Sequence, residues 1–204
     1  MTNSPLAGAS ARPLSAACPE QIASNITTAA HDMLGHLVAG RRIEAPAIRT
    51  AMHSAFGASD ASGSWDWKAA YEAVEVAQLL FMRRYGPTIH AKTADPFERL
   101  KLVERIARLV PTQTRRSQKM VAYQQFSTPL GLAWVAGFAA GFIPGELVLE
   151  PSAGTGLLAI QADPLPEVPV FVDQADADQG HVQVRGGLEE VARQNAQTAA
   201  VDGN

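Results

Sequence analysis

The residues with the clearest chemical signature lie in one short run, ELVLEPSAGTG, at positions 146–156. Its first part, Glu146–Glu150, predicts a short strand, and Leu157–Ala162 predicts the beginning of a helix. Glycines at such a turn let the backbone approach a ligand closely, because they carry no Cβ. The free amides of the following helix point toward that ligand. A carboxylate at the strand end could accept its hydrogen bonds, so the pattern is typical of a nucleotide-like ligand bound at the edge of a parallel sheet.

The residues around the turn limit which nucleotide-like ligands this segment could bind. A phosphate-binding loop needs G-x-x-x-x-G-K-[ST], yet no Lys or Arg stands between Lys119 and Arg185. The run also departs from the G-x-G-x-x-G dinucleotide pattern, because Glu-Pro-Ser precedes its first glycine. A cofactor with a positive centre and no pyrophosphate suits these acidic surroundings, and S-adenosylmethionine is such a cofactor. The alternative interpretation is a bare tight turn between a strand and a helix.

A second motif, QQFSTP, occupies positions 124–129 and precedes an apolar stretch. Together, F-S-T-P and L-E-P-S-A-G-T-G resemble the amino-methylating DNA methyltransferases of the N6-adenine type. More narrowly, residues 40–160 resemble the N-terminal region of bacterial and plasmid-borne proteins that join such a methylase to a strawberry-notch-like helicase. The stretches that carry this likeness are Arg41–Phe56, Trp65–Tyr85, Thr114–Pro129 and Leu147–Ile160.

The resemblance implies an S-adenosylmethionine site with two walls. One wall would pack over the methionine part of the cofactor, and the other would wrap its opposite side. The first wall consists of Phe126, Thr128 and Pro129. The second wall consists of Glu150, Pro151, Ala153, Gly154 and Gly156. Without the resemblance, Phe126 would be interpreted as a core aromatic and Thr128 as a helix cap.

The resemblance also implies a role for an acidic residue further along the chain, Asp173. Asp173 ends the run VPVFVD, seventeen residues after Gly156. The family places an acidic residue near this spacing to hold the ribose hydroxyls. Asp173 would take that role if Val168–Val172 pairs beside Glu146–Leu149. The alternative is an acidic loop residue in a diverged tail.

The resemblance fails at one motif that the chemistry needs. The family binds its target amine with a later N/D-P-P-Y/F motif, whose aromatic ring stacks on a flipped base. The 204 residues contain no such motif. We therefore expect the front part of a methyltransferase, which carries the cofactor-binding motifs but is inactive alone. The rest of the methylase and helicase would be encoded downstream.

Basic residues precede the F-S-T-P motif and could bind DNA. Arg115, Arg116 and Lys119 could contact phosphates, although they could equally be solvated helix ends. Charge is distributed unevenly, since residues 1–120 hold 15 Lys and Arg against 10 Asp and Glu, whereas residues 121–204 hold 2 against 10. The alternative function is a non-catalytic helical module that binds DNA or a partner protein and retains a vestigial glycine turn.

The elements that must position these residues are mostly helical. Apolar spacing predicts four amphipathic helices over residues 19–110. They begin near Pro19, Pro46, Ser64 and Asp95. Ser64 is expected to cap the third helix and Gly86-Pro87 to end it. Thr128 is expected to cap a further buried helix that begins at Pro129.

The predicted fold is mainly α, with a helical bundle followed by the first β-α element or elements of an incomplete Rossmann-like methyltransferase domain. The expected divisions are a disordered arm over 1–18, a helical domain over 19–111, the methyltransferase segment over 112–162, and a poorly ordered acidic tail over 163–204. The single cysteine, Cys18, excludes an internal disulfide and a cysteine-ligated zinc cluster. Leu130–Ile143 is shorter than the ~20 residues of a membrane span. We expect a cytoplasmic protein with no membrane contact and no metal site.

Overall fold

The computed structural model describes residues 18–113, 127–143, 148–150, 154–162, 170–174 and 182–185. This part of the chain is mainly helical, which confirms the expected fold class at that level. Its helices are α1 (Pro19–Val38), α2 (Ala45–Phe56), α3 (Trp67–Lys92), α4 (Pro96–Ala107) and α5 (Leu130–Ala140). Short 3₁₀ turns occupy Asp60–Ser62 and Ala159–Gln161. The strands are β1 (Val148–Glu150), β2 (Val170–Gln174) and β3 (Val182–Arg185).

The ends of the first, second and fourth helices follow the local signals in the sequence. A proline stands in the first turn of each, where no amide hydrogen bond is lost. Helix α2 ends at Gly57, whose φ of 72° lies in the left-handed region that favours glycine. Helix α4 begins after Asp95, whose carboxylate accepts a 2.9 Å hydrogen bond from the amide of Phe97.

The third helix differs from the prediction at both ends. Asp66, not Ser64, caps it, because the Asp66 carboxylate accepts a 2.8 Å hydrogen bond from the amide of Ala69. The expected end at Pro87 is also wrong, since the helix continues to Lys92. Pro87 removes one backbone hydrogen bond, but it is exposed, and Tyr85 and Ile89 pack against the core on either side of it. This packing offsets the lost bond.

The core lies between α1, α2 and α3, and α3 runs through its centre. Three buried methionine and leucine side chains, Met33, Leu37 and Met52, meet the buried face of α3. Trp65 precedes α3, is 2% exposed, and donates from Nε1 to the carbonyl of Ala58 at 2.9 Å. The same core includes Leu157 and Ile160, so the segment after the glycine turn packs directly on the helical bundle.

Helix α5 is less buried than the sequence predicts. Leu130, Ala133 and Trp134 are buried against the bundle, because one face of the helix contacts α4 and the turn at Ala159–Gln161. The other face is exposed, with Leu132 at 63% and Phe138 at 57%. The expected cap is also displaced by one residue. Pro129 precedes the first helical residue, and no side chain accepts a capping hydrogen bond.

The three strands form one sheet in the order β1-β2-β3. β1 and β2 run parallel, with Glu150 opposite Val172. β2 and β3 run antiparallel, with Asp173 opposite Gln183. The first two strands overlap the stretches predicted as strands, whereas β3 lies where the sequence indicates no regular element.

The segment after the glycine turn is not the α-helix that the sequence predicts. Residues 154–162 form successive turns that end in the 3₁₀ segment Ala159–Gln161. The amide of Ile160 donates to the carbonyl of Gly156 at 2.9 Å, which gives a single helical turn. Within the described residues, no helix has both the length and the apolar character that a membrane span requires.

Candidate functional site

The two segments expected to bind a cofactor meet beside one carboxylate of helix α3. Glu75 lies near the middle of α3 and is 5% exposed. Three residues one helical turn away from it, Tyr71, Gln78 and Leu79, are also buried, so the carboxylate is largely removed from water. A carboxylate removed from water in this way needs hydrogen-bond donors to offset its lost hydration.

Three side chains supply those donors. The hydroxyls of Ser127 and Thr155 donate to Oε2 of Glu75 at 2.7 Å and 2.8 Å. The side-chain amide of Gln113 donates to Oε1. We call these four residues the Glu75 cluster. Because Ser127 belongs to the F-S-T-P motif and Thr155 to the glycine run, the cluster joins both predicted walls to the helical bundle.

Burial and hydrogen bonding act on the Glu75 carboxyl in opposite directions. Removal from water raises its pKa, because burial disfavours the charged form. The hydrogen bonds from Ser127, Thr155 and Gln113 lower it by stabilising the carboxylate. Burial is the larger effect, so the pKa lies above the ordinary value for a glutamic acid.

The glycine turn has the backbone geometry that close approach to a ligand requires. Gly154 has φ of 53° and Gly156 has φ of 91°, and both values lie in the region that side chains with a Cβ rarely adopt. A Cβ built on Gly154 would meet no heavy atom of the described part of the chain within 4 Å, and the residue is exposed. Gly156 is buried, and its carbonyl accepts a hydrogen bond from the amide of Ile160. The outer face of the turn is therefore open to a ligand.

The first predicted wall is described only in part. Thr128 and Pro129 are exposed and lie between Ser127 and the first residue of α5. The carbonyl of Pro129 accepts a hydrogen bond from the amide of Ala133 at 2.9 Å, which fixes the direction of this short stretch. Phe126 lies outside the described residues, as do Pro151 and Ala153 of the second wall.

Glu150 and Asp173 lie on neighbouring parallel strands, Glu150 at the end of β1 and Asp173 one residue before the end of β2. Glu150 is the last residue of β1 and is half-buried. Its backbone partner is Val172, and Asp173 is the next residue of β2. For Asp173 to bind the ribose, the sequence-based prediction required Val168–Val172 to pair beside Glu146–Leu149. The described residues of these two stretches, from Val148 and Val170 onward, do pair. The basic residues expected to contact DNA, Arg115, Arg116 and Lys119, lie outside the described residues.

Glu75 and Gln113 were not identified as site residues from the sequence. Ser127 and Thr155 were given no role of their own, although both lie in the quoted motifs. A signal for Glu75 was present, because it shares one face of α3 with Tyr71 and Gln78, at helical spacings of four and three. An acidic residue among uncharged residues on one helix face favours a buried carboxylate with specific partners. Its partners could not be identified from the sequence, since they lie 38, 52 and 80 residues away along the chain.

Compared with protein-family models, with curated proteins and with solved structures, the chain shows no match. Its function is therefore argued from its own residues and their geometry.

Proposed function

We propose that this chain carries the S-adenosylmethionine-binding segment of an amino-methylating DNA methyltransferase, attached to a helical domain. The observation that carries the proposal is the meeting of Ser127 and Thr155 on one oxygen of Glu75. The F-S-T-P motif and the glycine run are widely separated in the sequence, and a shared cofactor site requires them to be adjacent. The bare-turn interpretation of the glycines does not require this adjacency.

The residues present fit the chemistry of the cofactor. The open outer face at Gly154 gives room for a nucleoside beside the backbone. Glu150 ends β1, and Asp173 lies one residue before the end of the parallel strand β2; acidic side chains near the carboxyl ends of such strands commonly bind hydroxyls of a ribose. No Lys or Arg occurs between Lys119 and Arg185, which suits a cationic sulfonium better than a pyrophosphate.

The proposed reaction is direct methyl transfer to an exocyclic amine of DNA, without a covalent enzyme intermediate. S-adenosylmethionine would supply the methyl group from its sulfonium. The residues of this chain would bind and orient the cofactor, with the turn at Gly154 and Gly156 on one side and Thr128 and Pro129 on the other. The N/D-P-P-Y/F motif that would bind the target amine is absent from the 204 residues. Cofactor binding is therefore the function proposed for this chain alone.

Calorimetric titration of the full chain with S-adenosylmethionine tests the proposal. We expect micromolar binding that Gly154→Val abolishes, because valine cannot adopt φ of 53° without moving the turn. Gly63→Val is the matched control, since Gly63 has φ of 73°, open space around it, and a position far along the chain from the turn. Equal loss in both variants, or no heat with the folded wild-type chain, would contradict the proposal.

The same chain should also be titrated with DNA at several salt concentrations. If S-adenosylmethionine does not bind, and salt-dependent DNA binding is lost on replacing Arg115 and Arg116 by Ala, the non-catalytic DNA-binding module is the correct interpretation.

A further inference from the structure

Glu75 belongs to neither cofactor motif, yet it is the residue on which both converge. It lies in the helical bundle, between the buried residues Val74 and Val76 of α3. Its three donors come from three separate parts of the chain, at Gln113, Ser127 and Thr155. Nothing in the strand–turn–helix pattern requires an acidic residue at this place.

We propose that Glu75 is a positioning residue that holds the F-S-T-P motif and the glycine turn at a fixed separation before the cofactor binds. The expected effect of Glu75 on S-adenosylmethionine affinity rests on the proposed function, because it requires that the chain bind this cofactor. Its effect on the two segments themselves does not depend on any ligand.

The cost of burying Glu75 argues against a purely structural role. A buried carboxylate is expensive to desolvate, and an apolar residue of similar size commonly gives a more stable core. Among the described residues, no Lys or Arg forms an ion pair with Glu75. The ion pairs that are present there join other acidic residues, such as Glu72 with Lys68. The two oxygens of Glu75 instead accept hydrogen bonds from three side chains and so specify where these donors lie.

The hydrogen bonds at Oε2 of Glu75 explain how one residue can set the distance between the F-S-T-P motif and the glycine turn. Ser127 and Thr155 donate to the same atom of a buried residue, so a change in the position of either hydroxyl alters a hydrogen bond to Oε2. Ser127 is followed by Thr128 and Pro129, and Thr155 lies between Gly154 and Gly156. Each bond therefore fixes one wall of the proposed site, and preorganised walls bind a ligand without a further ordering cost.

Two substitutions at Glu75 distinguish the effect of its hydrogen bonds on cofactor binding from the effect of its negative charge. In Glu75→Gln, the amide oxygen can accept from Gln113, and the amide nitrogen can donate to the hydroxyl oxygens of Ser127 and Thr155. Glu75→Leu removes every bond of the cluster. We expect the Gln variant to bind S-adenosylmethionine within about twofold of wild type, and the Leu variant to bind roughly tenfold more weakly. Equal affinity of the Leu variant and wild type, or equal weakening in both variants, would overturn the proposal.

A second set of variants leaves α3 unchanged and covers the case in which the Leu variant does not fold. The Ser127→Ala, Thr155→Val double variant removes both donors to Oε2 and should weaken binding to a similar degree. Thr50→Val is the matched control, because the exposed Thr50 hydroxyl donates to the carbonyl of Pro46 within α2, outside the cluster. Wild-type affinity in the double variant would overturn the proposal.

Hydrogen exchange without ligand distinguishes failure of this proposal from failure of the proposed function. In the double variant, amides of residues 127–131 and 154–160 should exchange faster than in wild type, while those of α1 and α2 should not. Faster exchange in both segments supports positioning by Glu75 even if S-adenosylmethionine does not bind to wild type. Unchanged exchange in these segments would overturn it, whatever the wild-type affinity.

Discussion

Gly137 of α5 lies so close to Gln161 that only a glycine fits between the two backbones. A Cβ built on Gly137 would lie 2.5 Å from the Cβ of Gln161. Gln161 ends the 3₁₀ turn that follows the glycine run, and α5 follows the F-S-T-P motif. The two proposed walls are thus linked a second time, through the elements that come directly after them.

The close approach at Gly137 predicts opposite effects for two similar substitutions. Gly131→Ala places its Cβ 3.7 Å from Cγ of Glu104, an ordinary contact, so it should be neutral or stabilise α5 by up to about 1 kcal/mol. Gly137→Ala forces a backbone shift and should lower the free energy of unfolding by roughly 1–3 kcal/mol. Urea unfolding of both variants measures the difference. Equal stability would show that α5 does not pack tightly on the turn.

The cap of α3 gives a prediction about the helix that carries Glu75. Asp66→Ala removes the acceptor for the amide of Ala69 and should lower the free energy of unfolding by about 1 kcal/mol. Glu44 provides a matched control, because it precedes α2 at the same position but makes no capping hydrogen bond. Thermal unfolding should therefore separate Asp66→Ala from Glu44→Ala, and equal midpoints would contradict the assignment of Asp66 as the cap.

The raised pKa of Glu75 predicts a specific pH dependence of stability. The folded chain holds this proton more tightly than the unfolded chain, so this residue's contribution falls as pH rises from the unfolded pKa of 4.5 through the folded value. Glu75→Gln lacks this titration. Its stability relative to wild type should rise with pH over that window and then level off. The charge of Glu75 also helps to raise the pKa of Glu72, one helical turn earlier, so the substitution reduces that shift as well and adds to the effect in the same direction. A pH-independent difference in urea unfolding would contradict the raised pKa.

The missing N/D-P-P-Y/F motif predicts the outcome of an activity assay. The purified chain of 204 residues should transfer no methyl groups to DNA at a useful rate, because no residues are assigned to bind the target amine. A radiolabelled-methyl assay on DNA measures this directly. Robust turnover by the pure chain would mean that another part of it binds the target base.

The sequence predicted most of the helical fold because local signals agree with packing there. Pro19, Gly57 and Asp95 stand at helix ends, as their backbone preferences require. Prediction failed where tertiary contacts decide. Helix α3 passes through Pro87 because residues on both sides of it pack on the core.

The two motifs of the candidate site stand out in the sequence, whereas Glu75, the residue on which they meet, does not. F-S-T-P and the glycine run stand out by their residue types, and Gly154 and Gly156 have the positive φ values expected of such a turn. Glu75 has no local motif, since its role depends on donors that become neighbours only on folding. Phe126, Pro151 and Ala153 stay predictions from the sequence.

The central claim is that one cofactor contacts both segments that meet at Glu75. Hydrogen–deuterium exchange of the full chain, with and without saturating S-adenosylmethionine, tests it most directly. Simultaneous slowing of exchange in residues 127–131 and 154–160, with α1 and α2 unchanged, is the result that the two-walled site predicts. Absence of any slowing, or slowing confined to one of the two segments, would contradict it.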